Sequence, residues 1–150
     1  TSDWQRMQLL TIAGVNRSAD SSLKAVLDLV RGAPLADAAP GQWHWAEELR
    51  TDISSLVRDV GLVLCERALD RGEVDLARWA TNRALVAAPE DERLICARLS
   101  TEHRAGNRSE VERLALRLVR TARKLNVDLA EETVTLLQEV VEGAPRRRLG

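Results

Sequence analysis

The 150 residues carry a formal net charge of −1, with 22 Lys and Arg against 23 Asp and Glu, and 45% are hydrophobic. That suffices for one domain with a real core and gives no overall pull toward nucleic acid or an anionic membrane. Phe and Tyr are absent and the only aromatics are four Trp, which speaks against an aromatic, β-branched sheet protein and predicts an all-α chain.

The charge is unevenly spread: residues 1–75 hold 8 basic and 12 acidic side chains, residues 76–150 hold 14 and 11. Two cysteines, Cys65 and Cys96, form no CxxC pair, so neither a disulfide framework nor a zinc ribbon is expected; each sits in an apolar helical face, where a reduced thiol packs as a small hydrophobe. No apolar run reaches the roughly 18 residues of a membrane span and no leader pattern opens the chain. The expectation is a soluble, cytoplasmic segment without membrane contact of its own. The chain begins at Thr1 without Met and is expected to be a piece of a longer protein, whose anchor or DNA-binding domain would lie elsewhere.

In chain order, residues 4–12 are apolar-rich and end at Gly14, one short helix. Ser18, Asp20 and Ser21 offer caps before Leu23, Val26, Leu27 and Val30, an i, i+3, i+4, i+7 seam that stops at Arg31-Gly32-Ala33-Pro34. Two prolines and several alanines make residues 34–41 a loop. Residues 45–70 contain no Pro and one Gly, and Leu49, Ile53, Leu56, Val57, Val60, Leu64 and Leu69 recur at three- and four-residue steps. That pattern predicts an amphipathic helix of about seven turns. Arg71-Gly72-Glu73 breaks it. Helices follow over 75–87, ended by Pro89, over 91–105, closed by Gly106, and over 109–125, where Asn107 and Glu110 have the spacing of a capping box. The last helix is expected from Asp128, with Glu131 at its third position, to Val141. Residues 1–142 then read as a single domain and residues 143–150, with Arg146, Arg147 and Arg148, as a flexible basic tail.

Gly72 and Gly106 stand 34 residues apart, the tetratricopeptide period. If Gly72 holds the turn, positions five, twelve and seventeen further on should be small, small and proline; they are Ala77, Ala84 and Pro89, with Leu64 and Ala68 at packing sites upstream. The next copy is blurred, with Val111, Leu118 and Arg123 in those places and Leu99 upstream. The spacing predicts a tetratricopeptide-like right-handed bundle of six to seven helices, finite and closed more than an open array.

A family resemblance covers about residues 20–142. The run Leu27-Asp28-Leu29-Val30-Arg31-Gly32-Ala33-Pro34-Leu35-Ala36-Asp37 resembles the opening motif of the bacterial transcriptional activator domain of actinobacterial regulators, with Val30 where Trp is usual. Trp45-Ala46-Glu47, Ala68-Leu69-Asp70-Arg71-Gly72, Pro89-Glu90-Asp91-Glu92-Arg93-Leu94 and Gly106-Asn107-Arg108-Ser109-Glu110 follow in order, and Leu125-Asn126-Val127-Asp128 resembles the closing turn, altered by Asn126 and Leu129. The resemblance implies a tetratricopeptide-like bundle that serves self-association or partner contact in a larger regulator. It also places the first helix of each pair on the concave side: Asp59, Leu62, Val63, Glu66, Leu69 and Asp70, then Arg93, Cys96, Ala97, Ser100, His103 and Arg104. In a small bundle the N-terminal helices would cover these positions.

No catalytic constellation is present. His103 lies three residues from Ser100, His44 is remote, and neither a Gly-rich phosphate loop nor HExxH nor a metal-ligand spacing occurs. A non-catalytic chain without cofactor or metal is expected. Arg113, Arg117, Arg120 and Lys124 fall on one helical stripe opposite Val111, Leu114, Leu118, Ala122 and Leu125; such a stripe suits an acidic peptide or a phosphate backbone, and equally describes an ordinary solvated face. Trp43 and Trp45 bracket His44, one expected to anchor the loop and the other to stand exposed as a contact residue. The leading expectation is a protein-interaction module, self-associating as a homodimer or capturing a partner's peptide or helix. The alternative is direct nucleic-acid contact through the basic stripe and tail.

Overall fold

The computed structural model describes residues 2–31 and 43–142, the side chains of residues 43–45 excepted. The expected loop over 34–41, the basic tail over 143–150 and the side chain of Trp43 therefore lie outside the described residues. Among those described are seven α-helices and no strand: α1 (Asp3–Leu10), α2 (Asp20–Asp28), α3 (Trp43–Asp70), α4 (Val74–Ala87), α5 (Glu92–Ala105), α6 (Arg108–Leu125) and α7 (Glu131–Glu142), with a 3-10 turn over Val15–Arg17. The chain is an all-α bundle, as its composition predicts. Connections of two to four residues make α3 to α6 successive antiparallel neighbours. α2 lies against α3 and α4 and α1 against α2, while α7 returns to α5.

Three of these helices end in the same way. Gly72 and Gly106 adopt left-handed φ of 74° and 75°, and Asn126 does so at 54°. In each case the next amide reaches back five residues: Glu73 N to Ala68 O at 2.8 Å, Asn107 N to Glu102 O at 3.0 Å, and Val127 N to Ala122 O at 3.0 Å. This closure satisfies carbonyls that a helix end leaves open and needs a residue that tolerates positive φ. Asn is the commonest non-glycine that does so. The 34-residue interval is thus the interval between two matching helix ends.

The core is aliphatic. Leu23, Leu27, Leu64, Leu94, Ile95, Leu99, Leu114 and Leu118 are fully buried, as are Ala68, Ala77 and Ala84. A Cβ on Gly61 would lie 2.5 Å from Ala84 Cβ, so the one glycine of α3 allows the α3–α4 approach.

The caps differ from expectation in three places. Ala19 precedes α2 without a side-chain cap; Ser18 Oγ instead donates to Gly14 O, and the Asp20 carboxylate accepts from Arg67 and Arg71 of α3. Asn107 and Glu110 form no capping box, because Asn107 Nδ2 donates to Glu102 at 3.4 Å and Glu110 is held by Arg98 and Arg113. The last helix starts at Glu131, not at Asp128. Long-range ion pairs engage Asp20 in the first case, Arg113 of the same helix and Arg98 of α5 hold Glu110 in the second, and a carboxylate from another helix caps α7 in the third.

Candidate functional site

A groove of about 740 Å³ opens between α3 and α5 and is walled on one side by α7. Because α3 and α5 are both antiparallel to α4, they run parallel, and both end at the same side of the bundle. Leu62, Cys65 and Leu69 of α3, Cys96 and Ala97 of α5, and Leu136 of α7 give it an apolar floor. Glu66, Asp70, Glu92, Arg93, Ser100, Arg104 and Glu132 bring polar groups to the same groove.

α7 is fixed over this wall by one carboxylate. Glu92 Oε2 accepts from Ala130 N at 3.0 Å and from Thr133 Oγ1 at 2.5 Å, supplying from α5 a cap for the start of α7. Thr133 gives its one proton to Glu92, so the Cys96 thiol, 3.3 Å from Thr133 Oγ1, is the donor in that contact. Burial pushes the thiols of Cys65 and Cys96 above the ordinary range, which keeps both protonated at neutral pH and weakly nucleophilic.

Nine of the twelve positions transferred by resemblance line the groove: Leu62, Glu66, Leu69, Asp70, Arg93, Cys96, Ala97, Ser100 and Arg104. Asp59, Val63 and His103 do not. Asp59 accepts from Arg58 at 3.1 Å, Val63 packs against the core, and His103 sits on α5 beyond the lining. The N-terminal helices leave the groove uncovered, since no residue of α1 or α2 is among its lining. The α7 wall is the part that sequence reasoning missed. Its signal was the seam Thr133, Leu136, Leu137 and Val140, which shows that α7 has an inner face but not which helix receives it.

The basic stripe of α6 is mostly engaged within the molecule. Arg113 grips Glu110 at 2.7 and 2.8 Å, Arg117 Nη2 donates to Pro89 O at 2.7 Å, and Lys124 pairs with Glu90 at 2.5 Å. Burial lowers Arg117 from its ordinary value, and repulsion from Arg113 and Arg98 adds to it. Arg120 is exposed and has no partner among the described residues.

Where α4, α5 and α6 meet, Glu102 is fully buried. Arg78 binds it with both arms at 2.6 and 2.8 Å, and Arg98 Nε adds a third bond at 2.8 Å. The Arg78 bonds hold its carboxyl down to about 2 against the opposing effect of burial, and Arg98 adds to them. Every buried side-chain polar atom among the described residues has a partner, so this network is a satisfied structural junction.

Among the described residues no group of three or more His, Cys, Asp and Glu side chains could hold a metal ion, and no helix is long and apolar enough to cross a membrane. Fold and groove together define an all-α helical bundle with a half-apolar surface channel. No protein-family model, curated protein or solved structure matches this chain.

Proposed function

We propose that this chain is a non-catalytic protein-interaction module, tetratricopeptide-like and of the bacterial transcriptional activator type. It would act in the cytoplasm within a larger actinobacterial regulator or membrane-associated protein. It recognises a helix or extended segment, from a partner or from a second copy, along the channel between α3 and α5. The observation that carries this reading is the channel itself: a continuous apolar floor bordered by charged groups, on the side of the bundle that α1 and α2 leave open. The motif order of the sequence supports the family setting, and the two glycine closures 34 residues apart support the repeat.

The nucleic-acid alternative has less support. Three of its four stripe cations are engaged with Glu110, Pro89 and Glu90, which leaves Arg120 as the stripe's one cation without a partner among the described residues.

A photo-reactive side chain at Ser100 in the full-length parent protein tests the reading. Adducts are expected from Ser100, in the channel, but not from Asp59 outside it, and Ala97→Arg should abolish them. Equal adducts from both positions, or none from either, would sink the docking reading. Salt-dependent binding to arbitrary duplex DNA that fails on Arg120→Glu would favour the alternative.

A further inference from the structure

The charges around the channel are unequal, and their inequality describes an occupant. Of its four carboxylates, Glu92 is engaged in capping α7, while Glu66, Asp70 and Glu132 are exposed and have no partner among the described residues. Of its two cations, Arg104 is tied by Nη1 to Leu69 O at 2.8 Å, which leaves Arg93. Bonds to neutral groups leave Glu92 and Arg104 charged, so the lining carries four carboxylates against two guanidinium groups, none of them in an ion pair among the described residues.

Two of the three stand together at one end. Cys65 touches Thr101 at 3.5 Å and Arg104 reaches Leu69, so the last turns of α3 and α5 lie side by side. Both helices present their carbonyl ends there, adding partial negative charge to Glu66 and Asp70. Asp70 is the last residue of α3, where the helix dipole disfavours an acid, and its carboxylate is in no ion pair among the described residues. The bundle can pair its acids closely, as at Asp20, Glu102 and Glu110, and it does not do so at this end of the channel. An unpaired acid at the wrong end of a helix breaks a local rule, and such breaks cluster where a surface serves a partner.

We infer that the channel takes an amphipathic segment of a partner protein whose apolar side chains are flanked by lysine or arginine, with its most basic end over Glu66 and Asp70. This rests on the channel being a docking site, as proposed above. Apolar anchors would seat on Leu62, Leu69, Ala97 and Leu136, and the flanking cations would meet the unpaired carboxylates.

Two fluorescein-labelled peptides of about 14 residues, long enough for about four helical turns, serve as probes. Their leucines are identical, and lysine in one replaces glutamate in the other at every polar position. Binding is read by anisotropy, and occupancy of the channel by slowed alkylation of Cys96. The lysine peptide is expected to bind about tenfold more tightly at low salt, with the preference shrinking at high salt. Glu66→Gln combined with Asp70→Asn should bring the ratio toward one, while Glu139→Gln, an exposed acid outside the channel, should not. Asp70→Asn alone should weaken the lysine peptide and yet raise the urea midpoint slightly, a combination that a merely structural Asp70 would not give. If both peptides bind equally, or the glutamate peptide binds better, the charge inference falls and the docking reading stands. If neither binds nor protects Cys96, both fall. Self-association that depends on Glu66 and Asp70 and is lost on Arg120→Glu would assign the channel to a second copy and overturn the inference.

Discussion

Glu102 offers the sharpest test of how the bundle is held. Its side chain is fully buried and its carboxyl is held at about 2 in the fold, against an ordinary value of 4.5. A group whose folded value lies below its unfolded one stabilises the fold above the unfolded value, and that contribution is lost as pH falls toward the folded one. The gap between 4.5 and about 2 corresponds to about 3 kcal/mol, present in full above about pH 5 and fading as the pH falls toward 2. Glu102→Gln keeps the shape but leaves Arg78 and Arg98 facing an amide. Their side chains are 32% and 12% exposed, so water relieves part of the loss, and about 2–4 kcal/mol of destabilisation at neutral pH is expected. Urea unfolding from pH 7 to about pH 3 measures both effects. Asp20, Glu73 and Glu110 are also held below the usual carboxylate range, chiefly by Arg67, Arg71 and Arg113 respectively, so the variant keeps a shallower acid slope of the same sign. A variant curve parallel to the parent's, or a loss under about 0.5 kcal/mol at pH 7, would refute this account of the junction.

Gly61→Ala should destabilise by about 1–2 kcal/mol, the overpacking against Ala84 exceeding the helix-propensity gain; with Ala84→Gly added, a urea-measured double-mutant cycle should show favourable coupling. Asn126→Gly should raise stability by a few tenths to about 1 kcal/mol in the same assay, because glycine takes left-handed φ without a Cβ penalty. Glu92→Ala removes the cap that holds α7, so amides of α7 should exchange at least about tenfold faster while those of α3 and α5 are unchanged, read by hydrogen exchange with mass spectrometry.

The helices were legible because each announces its seam locally. Leu23, Val26 and Leu27 are buried as their spacing predicts, and Gly72 and Gly106 end α3 and α5 as punctuation residues should. The caps were misread for a single physical reason. Asp20 looks locally like a cap residue but meets arginines of α3, and Glu110 meets Arg113 of its own helix and Arg98 of α5; a charge-assisted bond outcompetes a neutral one. Asn126 was read as a departure from a motif, whereas its φ of 54° makes it the third copy of the glycine closure. Most of the channel is placed by the family resemblance, which carries Leu62 through Asp70 and Arg93 through Arg104. Its α7 wall is not, since Glu92 and Thr133 are 41 residues apart and neither advertises the other.

The arginine content bears on the choice between the two functional readings. An arginine-rich helical protein invites a nucleic-acid interpretation, yet here arginines serve largely as fasteners between helices. Arg83 donates to the carbonyls of Leu27, Asp28 and Val30 at the end of α2, and Arg67 reaches Asn16 and Ser18 ahead of it. Arg104 holds the end of α3 at Leu69, and Arg117 the turn at Pro89. A guanidinium engaged with a carbonyl satisfies an open helix end, and freeing it for a phosphate would expose that end again. Duplex binding by the α6 stripe would therefore carry an internal cost at Arg113, Arg117 and Lys124, while the carboxylates of Glu66 and Asp70 are available without breaking any bond. Unengaged charge beside an apolar floor, not total charge, is what favours the α3–α5 channel as the working surface: there Glu66, Asp70 and Glu132 border Leu62, Leu69 and Leu136.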